Sequence, residues 1–337
     1  MLGVMAGESG EAGVPSRRAA AQLVGALPDY FEGNLAILLG DSDVDVVRHA
    51  LRSFGNLRKL SLIPVVIELL EHPQLSGDAL EALASFENSI LDNLRGYLDD
   101  PTLKIGLRRR IPEVLLRIGT PQASRALADN ILQADCVLRF RILSALNKLQ
   151  ELHKHPSLDR GLIETVMVAE IMGHYRSYQI LGLLKGHADA LLRQAMGREV
   201  ERIFRLMKLL FPSIDLQNAY RGIQSRDHAA HANALEFLEN TLSPTVRTLL
   251  LPLIDGEVSV AERIRRADQF LNTSLVRYEE AIAALLHSED PWLKSCGAYA
   301  IGKLGLKSFD SELERLEQDQ DPLLKKELAE VRALLGP

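Results

Sequence analysis

One short pattern recurs along this chain at nearly constant spacing: an apolar residue, a base, a helical stretch, then Leu or Ile before a closing Gly. It is clearest from Leu293-Lys294 through Ile301-Gly302-Lys303-Leu304-Gly305, and again from Leu107-Arg108 to Arg117-Ile118-Gly119. The same frame fits Val46 to Leu57, Leu138 to Leu149 and Leu324 to Gly336. By their first residues the units start at 46, about 78, 107, 138, 230, 293 and 324, leaving gaps of 32, 29, 31, 92, 63 and 31. The two wide gaps are close to three and two periods of 31. Self-similarity at such a period marks an array of one supersecondary unit, here with degenerate copies in the middle.

Each unit reads as two helices. The first is short and apolar: Leu35 to Leu39, Ile63 to Leu70, Ile90 to Leu98, Ala281 to Leu286, Leu313 to Leu316. A turn with Asp, often followed by Pro, comes next (Asp100-Pro101, Asp290-Pro291, Asp321-Pro322). Asp accepts from exposed helical N–H groups, and Pro has a φ suited to the first helical turn. The second helix closes on Gly55, Gly119, Gly305 or Gly336, where glycine permits a left-handed residue. Its apolar face, as in Leu293, Gly297, Ala300, Ile301 and Leu304, cannot be buried within one hairpin, so neighbours must stack.

Composition supports the same class. Hydrophobic residues reach 47% while aromatics are only 5%, so the core must be built from Leu, Ile, Ala and Val. Runs of β-branched and aromatic residues are scarce, which argues against strands. The expected fold is all-α. Residues 1–15 read as a disordered tail, 16–155 as N-terminal repeats, 156–225 as an irregular middle and 226–337 as C-terminal repeats. Within the middle, Leu158 to Leu184 and Ala188 to Leu210 read as two long helices, followed by a short one from Ile214 to Gly222. The N-terminal helix, Ser16 to Leu27, looks less like a capping unit than like a cut edge. The C-terminal stretch from Leu323 carries enough charge to serve as a cap.

Paired helices, Asp-Pro turns and apolar helices ending in Leu-Gly or Ile-Gly resemble HEAT repeats. Two stretches are similar to something narrower: Glu170-Ile171-Met172-Gly173-His174-Tyr175-Arg176-Ser177-Tyr178-Gln179-Ile180-Leu181 and Asn233-Ala234-Leu235-Glu236-Phe237-Leu238-Glu239-Asn240. They resemble segments of the HEAT-repeat extensions of bacterial carriers related to ADP/ATP translocases, over roughly residues 20 to 337. That resemblance implies a right-handed α-solenoid and no catalytic residues. It also implies a protein partner, a membrane transporter domain in cis or in trans, although the carrier itself is missing from the sequence.

Three candidate sites stand out. Arg108, Arg109 and Arg110 open one second helix, Arg139 and Arg141 hold equivalent places a period later, and Arg48 and Arg52 lie two units earlier. Stacked units would set these arginines side by side as a basic ladder for an acidic segment, a phosphate or an anionic headgroup. Alternatively they pair with turn carboxylates such as Asp43, Asp99, Asp100 and Asp135. The second candidate is His174-Tyr175-Arg176-Ser177-Tyr178-Gln179, which interrupts an apolar helix on every face. It reads as an internal network or as a contact with another chain, and a ligand pocket is the third option. Finally, His228 and His231 share a helix face and His153 and His155 flank a turn; with no third ligand nearby, solvated helix-end histidines are the simpler reading.

Several functions are disfavoured. A net charge of −6 and a pI near 5.9 weigh against nucleic acid as a partner. Di-iron hydroxylases of this architecture use His-Glu dipeptides, and the chain has none. A HEAT-like DNA glycosylase needs a basic groove floored by aromatics, whereas the one Trp, Trp292, sits in a first helical turn. No phosphate loop or nucleophile elbow stands out, and no cofactor is expected. Cys136 and Cys296 read as small core residues. No apolar run reaches the roughly 18–20 residues of a membrane span. The sequence is therefore read as a cytoplasmic, non-enzymatic scaffold, reaching the inner face of a membrane only through a partner or missing segment. The alternative is a small-molecule or chromophore-handling lyase or chaperone on the same fold.

Overall fold

A computed structural model describes residues 5–7, 10–26, 32–153 and 158–335. The described residues form helices joined by short turns, with no strand among them. No helix among them is long and apolar enough to cross a membrane. The chain divides into two compact units, residues 1–131 with 152–156, and residues 132–151 with 157–337.

In the first unit, four helices pack side by side in chain order: Val14–Val24, Val44–Leu57, Ser76–Ala84 and Ile111–Ile118. The shorter Glu32–Leu39 and Ile63–Glu68 helices lie against members of that row, as do Leu91–Asp99 and Pro121–Asp129. Each row helix turns apolar residues inward; Val46, Val47, Ala50, Leu51 and Phe54 of the second are all buried. Phe54 meets Phe86 with ring centroids 4.8 Å apart. Within the stretch expected to be a tail, Glu11–Gly13 forms a 3₁₀ turn and the first row helix opens at Val14. Arg17 of that helix is buried and grips Asp41 through Nε at 2.6 Å and Nη2 at 3.1 Å.

Capping follows the sequence at some turns and departs at others. Asp43 accepts from the N–H groups of Asp45 and Val46, and Asp290 from those of Trp292 and Leu293. Asp321 caps Leu323 in the same way. Gly119 and Gly305 end their helices at φ 68° and 64°, the left-handed conformation that disfavours other residues. Gly55 does not end its helix, which runs on to Leu57 and closes on Arg58 at φ 51°. Its role is close packing, because a Cβ there would stand 2.9 Å from Ser85 Oγ. Asp100 also differs: it accepts from Thr102 N–H in a turn, and the next helix starts only at Ile105. Gly336 lies outside the described residues.

Gly25 shows how tightly the row is packed. Its N–H donates to Ser53 Oγ at 3.1 Å, and a Cβ there would lie 2.8 Å from Ser53 Cα. That contact is with backbone, which cannot swing aside. Gly25→Ala is therefore expected to cost about 1–3 kcal/mol, read as a lower urea midpoint at unchanged slope.

The second unit is organised around the long Arg160–Leu183 helix. It packs against Asp189–Leu210, Pro244–Ile254, Val260–Leu271 and Tyr278–Leu286. Helix Pro291–Leu304 packs on Tyr278–Leu286 and on Pro322–Leu335, while Leu216–Ile223 pairs with His228–Thr241.

Candidate functional site

A helix with neighbours on so many sides can carry polar residues only where each finds a partner. The six residues from His174 to Gln179 do so in three pairs, each three residues apart and so on a shared face. His174 Nδ1 lies 2.6 Å from Glu199 Oε2, and Ser177 Oγ donates to Glu199 Oε1 at 2.8 Å. The Tyr175 hydroxyl donates to the Leu249 carbonyl at 2.8 Å, and Tyr178 Oη accepts from Arg263 Nη1 at 2.7 Å. Arg176 donates to Thr273 Oγ1 at 2.7 Å and to Gln179 Oε1 at 2.8 Å. Gln179 Nε2 in turn reaches the Thr273 carbonyl at 2.7 Å. The segment thereby ties one helix to three others of its own unit and to the turn at Thr273.

Beside it sits a buried ionic cluster that sequence reasoning missed. Glu170, Glu199, Arg202 and Asp290 are each less than a tenth exposed. Arg202 Nε donates to Glu170 Oε2 at 2.9 Å, and its Nη1 lies 3.4 Å from Asp290 Oδ2. Arg139 Nε approaches Glu170 Oε1 at 2.8 Å. This last contact is charge against charge without a directed hydrogen bond, since neither atom has a hydrogen-bonding partner. A signal was available: Glu199 and Arg202 share the inward stripe of their helix with Leu192, Ala195, Met196 and Ile203.

The carboxyls of the cluster respond to this environment in opposite directions. Burial pushes Glu199 up, but the hydrogen bond and charge of His174, the charge of Arg202 and the Ser177 hydroxyl outweigh it and hold Glu199 below the ordinary range. Asp290 is raised, chiefly by burial, with Arg202 opposing. A depressed folded-state value means that Glu199 contributes stability above its unfolded value, lost as pH falls through the folded one; Asp290 contributes with the opposite sign. Glu199→Gln should therefore flatten the acid side of the stability profile below the ordinary value of 4.5, measured as urea midpoint against pH. An acid limb unchanged in the variant would contradict this. Burial also pushes the Cys296 thiol up to about 12 and the Cys136 thiol higher still, so neither is a thiolate nucleophile at neutral pH.

Most arginines of the expected ladder are engaged close to home. Arg48 reaches Asp78 at 3.1 Å and Asp45 at 2.5 Å. Arg108 donates twice to the Leu98 carbonyl, and Arg110 donates to the Leu70 carbonyl at 3.2 Å while pairing with Glu113. These carbonyls lie at helix C-termini, where acceptors lack intrahelical donors. Arg109 is buried and Arg52 is exposed. In the second unit Arg139 donates to the Gln133 carbonyl besides meeting Glu170, and Arg141 is half-buried. Charge reversal at Arg109 or Arg139 would therefore bury a carboxylate or set it beside Glu170. Each reversal is expected to lower the melting temperature by several degrees, by about 2 kcal/mol or more. An unchanged melting temperature would return both residues to the surface ladder.

His231 is a turn fastener. Its Nε2 accepts from Gly256 N–H at 3.2 Å and its Nδ1 lies 3.2 Å from the Ile223 carbonyl, while His228 is exposed. His155 and the side chain of His153 lie outside the described residues. Among the described residues no group of three His, Cys, Asp or Glu is placed to hold a metal ion.

A cleft of about 490 Å³ opens over the ionic cluster. Arg139, Arg176 and Arg202 contribute to its wall from three helices, and Glu170, Glu199 and Asp290 face them. No protein-family model matches the chain. No curated protein matches it either.

Proposed function

We propose that this chain is a non-enzymatic interaction scaffold built as a HEAT-like, right-handed α-solenoid with repeats of roughly 31 residues. The observation that carries this reading is the row in the first unit. Helices opening at Val14, Val44, Ser76 and Ile111 pack each on the next, at a spacing close to the sequence period. Such rows bury a continuous core between neighbours and leave extended outer faces for partners. The commitment of His174 to Gln179 and of the cluster carboxyls to internal bonds favours a holding role over acid–base chemistry.

The finer proposal is a cytoplasmic regulatory module of a nucleotide-transporter-like membrane protein, partnered in cis or in trans. An immunoblot on fractionated source cells tests it. A band well above 37.4 kDa in the membrane fraction, or a 37.4 kDa band that co-sediments with membranes, is the expected result. A 37.4 kDa band confined to the soluble fraction overturns the module and leaves an independent scaffold. The charged cleft favours a second reading, a small-molecule-handling protein on the same fold.

A further inference from the structure

We propose that the cleft in the second unit binds a small zwitterion with an aliphatic body, of the class of free branched-chain α-amino acids. Its volume of about 490 Å³ lies within the range of small-molecule pockets, which run from about 300 to 1,000 Å³. Charges of both signs stand on its walls, and most are already paired and dehydrated. A ligand of one sign would upset that balance, whereas a zwitterion preserves it.

Two groups at the cleft remain available for such a ligand. Among the described residues Arg176 donates only to neutral oxygens, those of Gln179 and Thr273, and no carboxylate there answers its charge. Glu289, from the turn before Pro291–Leu304, is exposed and makes no ion pair among the described residues. A guanidinium is suited to clamp a carboxylate, and a carboxylate to accept from an ammonium group. Apart from these charges, Val166, Ile180, Ala284 and Leu293 add apolar surface to the wall. That surface suits a branched aliphatic side chain better than a sugar or a phosphate ester. Arg176 binds the α-carboxylate and Glu289 the ammonium group. The proposal goes beyond the scaffold reading and does not depend on it.

Titration calorimetry and thermal-shift measurements on the full chain test this with three probes: L-leucine, 3-methylbutylamine and 4-methylpentanoate. The amine lacks the carboxylate of leucine and the acid lacks its ammonium group. Leucine is expected to bind and to raise the melting temperature, while each single-charge analogue binds at least about tenfold more weakly. Arg176→Gln and Glu289→Gln alter partly or fully exposed side chains and should fold normally. Each should weaken leucine about tenfold or more. No heat or shift with leucine at about 10 mM would overturn the proposal, as would variants that bind leucine like the parent. Analogues that match leucine would overturn it too, because the site would then recognise one charge or none.

Discussion

Replacing Arg202 with methionine is expected to remove about 3–5 kcal/mol of stability, the largest loss at any charged position in the second unit. Methionine fills much of the same volume, so packing loss is minor. The cost comes from Asp290, which would remain buried opposite no guanidinium, and from Glu170, which would keep only Arg139. Removing one member of a buried pair leaves an uncompensated charge in low dielectric, which costs more than the pair contributes when intact. The complementary triple replacement of Glu170, Arg202 and Asp290 by apolar residues should restore much of the loss. Urea unfolding of both variants checks the pair of expectations. A loss below about 1 kcal/mol for Arg202→Met would mean that the cluster is hydrated rather than buried.

The second large effect is expected at Tyr175. Its side chain is fully buried, its ring meets Phe270 edge-on at 5.2 Å, and its hydroxyl holds the Leu249 carbonyl. Tyr175→Ala should cost about 3–5 kcal/mol through lost contact and the cavity left behind. Tyr175→Phe keeps the ring and loses only the hydrogen bond, at about 0.5–1.5 kcal/mol, the net contribution of one such bond. The gap between the two variants separates packing from hydrogen bonding at the centre of this unit. Equal losses in the two would show that the hydroxyl, not the ring, holds the helices together.

Local features were legible in the sequence where a residue's job is set by its immediate neighbours. Asp290 and Asp321 cap the helices that follow them, and Gly119 and Gly305 close helices in the left-handed conformation. The two long helices run from Arg160 to Leu183 and from Asp189 to Leu210, within a few residues of expectation. What escaped notice depends on residues distant in sequence. Gly55 looks like a helix stop, yet its lack of a side chain serves contact with Ser85. Asp100-Pro101 has the composition of a cap but forms a turn ahead of a helix that begins at Ile105.

The candidate site divides along the same line. The hexapeptide from His174 could be singled out because six polar residues cover every face of an otherwise apolar helix. Its partners, from Glu199 to Thr273, could not be read from the segment itself. Equivalent positions suggested a common row for the arginines. The carbonyls of Leu98 and Leu70 and the carboxyl of Asp78, which engage Arg108, Arg110 and Arg48, come from elements that only folding brings near. Arg202 and Asp290 are 88 positions apart, so the inward place of Arg202 on its helix was legible but its partner was not.

The scaffold reading requires that the protein work in company. Its most direct test is the native mass of the tagged chain isolated gently from source cells, by sedimentation equilibrium, which reads mass independently of shape. A defined assembly well above 37.4 kDa, with a stoichiometric second component or a longer parent polypeptide, is the predicted result. A single species at 37.4 kDa under every gentle condition would contradict a scaffold and leave ligand handling as the function to pursue.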